Sequence, residues 1–92
     1  MKSGPSIAPV AALVGDPARA NMLNALLGGK ALTASELAQE AGVTAPTASS
    51  HLAKLEGGGL VSAVKQGRHR YFRLAGADVA EMLEKIMGVA AR

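Results

Sequence analysis

Ninety-two residues can hold one hydrophobic core and little more, and with one Tyr, one Phe and no Trp that core must come from Leu, Val, Ile, Ala and Met. The absence of cysteine excludes disulfides, thiolate metal sites and thiol redox switches, and no apolar run approaches the roughly 20 residues a membrane helix needs. The net charge of +3 is concentrated: residues 44–73 carry Lys54, Lys65, Arg68, Arg70 and Arg73 against Glu56 alone, a net of +4, and the remainder sums to −1. A polyanion would meet that segment first.

In chain order, residues 1–6 read as a flexible tail and 7–92 as one domain. The opening "MKSGPSIAPVAALVGDPARA" has a lysine and an apolar stretch. Pro9 interrupts the stretch, and Asp16, Pro17 and Arg19 crowd the Ala-Arg-Ala; this argues against a signal peptide and for a cytoplasmic protein. Ile7 to Val14 predicts a short first helix with Pro9 in its first turn. Asp16-Pro17 is a helix start, an N-cap followed by proline. It begins a second helix with Ala20, Leu23, Leu26 and Leu27 inward, ended by Gly28-Gly29. Thr33 to Glu36 spells T-A-S-E, a capping box, and opens a third helix with Leu37, Ala38 and Ala41 inward.

Gly42 stops that helix, and only Val43 follows before Thr44 caps a fourth, which runs to about Glu56. Two short helices joined by a tight glycine turn predict a helix-turn-helix. In the fourth helix Ala48, Leu52 and Leu55 form the core stripe. The other side carries Thr47, Ser50 and Lys54, flanked by Pro46, Ser49 and Ala53, where Glu and Lys would ordinarily stand. Beyond Gly57-Gly58-Gly59, "LVSAV" and "RYFRL" predict two strands around a turn in which Gly67 supplies a positive φ. The last segment, "ADVAEMLEKIMGVAAR", is an amphipathic helix with Val79, Met82, Leu83, Ile86, Met87 and Ala90 on one face. The predicted fold is therefore mostly α with a small β-hairpin, α-α-α-α-β-β-α.

A helix-turn-helix followed by a basic hairpin is a winged helix-turn-helix layout, and it gives the Thr/Ser/Ala face a purpose. Small side chains let a helix backbone press into a major groove about 12 Å wide, and short hydroxyls bond to bases or phosphates. The alternative is a face on which Ser and Thr are merely tolerated. The stretches "GDPARANMLNALL", "LTASELAQEAGVTAPTASSHLAKLEGGGLV" and "GRHRYFRL" resemble the ArsR/SmtB family of winged-helix transcriptional repressors, over about residues 10 to 87. That resemblance implies a homodimer paired through the first and last helices, placing Val10, Leu13, Val79, Met82, Leu83, Ile86 and Met87 at the dimer interface. The mean hydropathy above zero also favours a second copy. The resemblance further implies repression through double-stranded DNA carrying an inverted repeat. Its recognition-helix positions fall on Thr44, Ala45, Thr47, Ser50 and His51, joined by Lys54, and its wing positions on Gln66, Gly67 and Arg68, joined by Lys65 and Arg70.

Many relatives carry Gln or Arg where Ala45 and Ser50 stand, so direct base readout should be thin, and phosphates, wing and DNA shape should carry affinity. His51 either touches DNA or sits half-buried beside the core stripe, bonded to a neighbour. Arg68 enters the minor groove or is a solvated turn charge. One of Arg70 and Arg73 pairs with an acid across the dimer, His69 is a polar wing residue, and Tyr71 and Phe72 pack rather than stack on bases.

No cofactor or metal is expected. Family metal sites use cysteines near the third helix, which this chain lacks, or Asp and His on paired last helices, where no histidine stands; Asp78, Glu81 and Glu84 form a solvated acidic face. An unknown small-molecule or protein effector, or none in this chain, remains open. No catalytic constellation is visible, so an enzyme is not expected. The alternatives are a winged-helix protein-interaction module and the DNA-binding fragment of a longer regulator.

Overall fold

The computed structural model describes residues 4–92. The expected tail therefore falls partly outside them, at residues 1–3. Helix α1 spans Ala8–Val14, with Pro9 in its first turn. Helix α2 spans Pro17–Ala25, and the Asp16 carboxylate caps it by accepting from the Arg19 amide at 3.0 Å. Helix α3 spans Ala34–Ala41 behind a complete capping box: Glu36 N–H donates to Thr33 Oγ1 at 3.2 Å and Thr33 N–H to Glu36 Oε1 at 2.9 Å.

Gly42 closes α3 in the left-handed conformation at φ 68°. Its amide and that of Val43 return to the carbonyls of Gln39 and Ala38. The chain thus reverses within two residues, and helix α4, Ala45–Gly57, leaves from its N-cap Thr44. Strands Val61–Gln66 and His69–Leu74 follow, then the last helix, α5, Ala77–Ala90. The hairpin turn has two residues, with a positive φ of 60° at Gly67 and none at Arg68, the requirement of a type II′ connection.

One element departs from the expected order. Leu32–Thr33 is a strand, β1, so the sequence runs α-α-β-α-α-β-β-α, with Val61–Gln66 as β2 and His69–Leu74 as β3. It pairs antiparallel with β3, Leu32 opposite Phe72 and Thr33 opposite Tyr71, giving a three-stranded sheet of order β1-β3-β2. Two residues carry no readable alternation, and the pairing exists only because α2 and α3 bring Leu32 beside Phe72.

The core gathers Met22, Leu23, Leu26, Leu37, Leu52 and Leu55, all essentially inaccessible, with Ala48 between the crossing helices. Phe72 and Val61 close it from the sheet side, and Val79 and Leu83 from α5. Fully burying each of the Leu and Met side chains contributes about 1.5–3 kcal/mol. That burial holds α3 and α4 at one fixed angle. Leu13 of α1 lies directly on Gly58, where a β-carbon would collide with its Cδ1, so α1 packs on the C-terminal end of α4.

Candidate nucleic-acid interface

The outward side of α4 is as small and polar as its sequence suggests. Thr44, Ala45, Thr47, Ser50 and Lys54 are all exposed, while Ala48, Leu52 and Leu55 on the inward side are buried. Thr44 is partly committed: its hydroxyl accepts from the Thr47 amide at 3.3 Å and donates to Thr47 Oγ1 at 2.9 Å. Thr47 and Ser50 remain the hydroxyls best placed to bond outward.

In the wing, Lys65, Gln66, Gly67 and Arg68 are exposed at and beside the turn. Among the described residues no acid lies within 4.0 Å of Lys65 or Arg68. Arg70 behaves differently. Its Nη2 lies 3.3 Å from Glu56 Oε1 and its guanidinium stands 5.3 Å from the Phe72 ring centroid, so it pins the end of α4 to β3. The acid expected across a dimer for Arg70 or Arg73 is thus supplied to Arg70 by its own chain. Lys65 and Arg70 face each other across the β2–β3 ladder. Like charges in that register repel, and Glu56 relieves the repulsion. Phe72 is buried and Tyr71 half-buried against the His69 ring edge, so both pack as expected.

His51 stands half-buried beside the core stripe and meets a neighbour. Its ring is half-buried, Nδ1 lies 3.0 Å from Arg19 Nη1, and Nε2 lies 3.9 Å from Asp16 Oδ2. Arg19 was not a candidate from sequence. Only its spacing from Asp16 marks it locally, because its partner is 32 residues away. Glu56 was likewise seen only as the lone acid of a basic segment. The Arg19 amide bonded to Asp16 holds that carboxyl below the usual carboxylate range; desolvation opposes this, and the Arg19 charge reinforces it.

The residues expected at a dimer interface separate into two groups. Val79 and Leu83 are buried in the protomer's own core, and Val10, Leu13 and Met82 are half-buried against it. Ile86 and Met87 are 45% and 48% exposed, with Val89 and Ile7 more so. Together with Val14, Leu27 and Asn24, Ile86 and Met87 line a cleft of about 330 Å³ between α2 and α5.

A helix presenting small polar side chains, seated by a second helix across a glycine turn and flanked by a basic hairpin, is a winged helix-turn-helix. The comparisons agree. Residues 14–63 match the family model of a helix-turn-helix domain. The HTH-type transcriptional regulator CmtR of Mycobacterium bovis is 34% identical over 84 residues, 91% of this chain and 70% of the relative. HTH-type transcriptional regulator YdfF of Bacillus subtilis is 43% identical over 86 residues, 94% of this chain. The chain spans 38% of that relative's length and 24% of Rv0324 of Mycobacterium tuberculosis.

Among solved structures, the homodimeric winged helix-turn-helix DNA-binding domain (fragment 1–100) of Mb0332 from M. bovis, a possible ArsR-family regulator, has a TM-score of 0.84. It is 30% identical, with 98% of this chain and 91% of that one covered. The cadmium metal-sensor CmtR of M. tuberculosis has a TM-score of 0.72 at 35% identity, with 90% and 85% covered. The chain belongs to the ArsR family of winged helix-turn-helix transcriptional regulators.

Proposed function

We propose that this regulator acts as a homodimeric repressor on an inverted-repeat operator, with α4 of each protomer in the major groove and the wing on the adjacent minor groove. The observation that carries the reading is the exposed face of Thr47, Ser50 and Lys54 beside a wing whose Lys65 and Arg68 have no acidic partner among the described residues. Thr47 and Ser50 approach base edges, Thr44 and the Ala45 amide at the start of α4 hold a phosphate, and Lys54 with the wing neutralises neighbouring phosphates. Ala45 reads little beyond an apolar edge, so operator choice leans on DNA shape.

The second copy covers Ile86, Met87 and Val89, whose exposure is large for so small a protomer; the homodimeric Mb0332 domain supports that occupant. The donor set does not fit a soft cation of the kind named for CmtR. The chain has no cysteine, and among the described residues no three His, Cys, Asp or Glu side chains converge. That leaves a small organic effector, a protein partner, or no effector in this chain.

Titration of the purified protein against its own upstream DNA by fluorescence anisotropy, with an unrelated duplex as control and a salt series, tests the reading. Tight binding with dimer stoichiometry that prefers the upstream fragment and weakens steeply with salt is expected. No binding at low salt would transfer the fold to a protein-interaction role.

A further inference from the structure

Arg19 makes more connections than any other side chain in the described residues. Its Nε donates to the Leu13 carbonyl at 2.8 Å, its Nη2 to the Ala12 carbonyl at 3.2 Å, and its Nη1 meets His51 Nδ1 at 3.0 Å. The first two carbonyls belong to the last turn of α1, where no intrahelical donor reaches them. The third partner stands in the middle of α4. One guanidinium therefore bridges α1 and the recognition helix. We propose that Arg19 and His51 form a positioning lock that sets the recognition helix against α1; the inference rests on the DNA-binding reading above.

The chemistry gives the lock a direction. Arginine only donates, so Nδ1 of His51 must accept, and the ring proton lies on Nε2. That proton points toward Asp16 Oδ2, too distant at 3.9 Å for a hydrogen bond but near enough to favour this tautomer. Asp16 in turn holds the Arg19 amide, so the same carboxylate orients both partners. His51 adjoins Ser50 and stands one turn from Lys54 and Thr47. A rotation of α4 about its axis, which would redirect those three side chains, breaks the bond to Arg19. The seat of Leu13 on Gly58 ties α1 to the far end of α4 as well. A displacement of α1 is thereby transmitted to the DNA-facing side chains at two points.

Four variants test the lock by upstream-DNA affinity and by hydrogen exchange of the α4 amides in the free protein, with circular dichroism confirming that each is folded. His51→Leu keeps the volume and removes the acceptor; loss of one hydrogen bond to a charged group predicts affinity reduced roughly tenfold. His51→Asn restores an acceptor at the Nδ1 position and should return affinity to within about threefold of the parent. Arg19→Met removes all three donors, and adding His51→Leu to it should cost nothing further. Exchange across α4 should quicken in His51→Leu and not in His51→Asn. Full affinity in His51→Leu overturns the lock, as do additive effects of Arg19→Met and His51→Leu, which would mark His51 as a direct DNA contact. If the parent binds no upstream DNA, the regulator reading fails, and α4 exchange alone decides the lock.

Discussion

The wing offers the sharpest quantitative test, because its cations differ in how they are held. Lys65 and Arg68 are exposed with no acid within 4.0 Å among the described residues, whereas Arg70 is spent on Glu56. Each phosphate neutralised contributes about 0.9 to the slope of log affinity against log salt. The double variant Lys65→Ala/Arg68→Ala should therefore flatten the slope by about 1.8 per protomer, or about 3.6 for a dimer with both wings engaged. Over a fourfold rise in salt, those contacts account for a factor of about 12 per protomer.

Arg70→Ala is the contrast. Its charge is already matched by Glu56, so few counterions leave on its account, and the slope should hardly move although affinity falls modestly. Anisotropy titrations at five or six salt concentrations resolve both. An unchanged slope in the double variant would remove the wing from the interface. A drop for Arg70→Ala as large as for Arg68→Ala would refute the argument from pairing.

Further substitutions probe the turn, the dimer face and the cap of α2. Gly42→Ala places a β-carbon at φ 68° in otherwise open space, so backbone strain alone should cost about 1–2 kcal/mol in denaturant titration; an unchanged midpoint would show that the α3–α4 turn relaxes. Ile86→Glu should leave a folded protomer but dissociate the dimer in light scattering, whereas Leu83→Glu, buried in the protomer core, should abolish folding; a dimeric Ile86→Glu would move the interface elsewhere. Because the folded-state pKa of Asp16 is lowered, its ionised form contributes stability above the ordinary aspartate pKa of about 3.9 that is lost as pH falls through the folded value. Asp16→Asn should therefore be less stable than the parent at pH 6 and converge with it in acid; a gap constant with pH would contradict the assignment.

Local signals carried most of the fold. Asp16-Pro17, T-A-S-E, Gly42 and Gly67 each decide a helix end or a turn through φ preference and short-range hydrogen bonds, which are complete within four residues of sequence. The exposed Thr47, Ser50 and Lys54 follow from helical periodicity once Ala48, Leu52 and Leu55 are recognised as inward. The helix-turn-helix, the wing and the exposed side of α4 were legible for that reason.

Four features belong to the tertiary structure alone. Strand β1 exists because Phe72 arrives beside Leu32 from forty residues downstream. Glu56 removes Arg70 from the unpaired cations of the wing only once β3 folds back on α4. Val79 and Leu83 look equivalent to Ile86 and Met87 on a helical wheel, and only the direction from which the core approaches α5 separates the buried pair from the exposed one. His51 meets Arg19 at 3.0 Å only because α2 packs beside α4. A residue's chemistry is present in one dimension, but which of its possible partners it meets is decided by packing between distant segments.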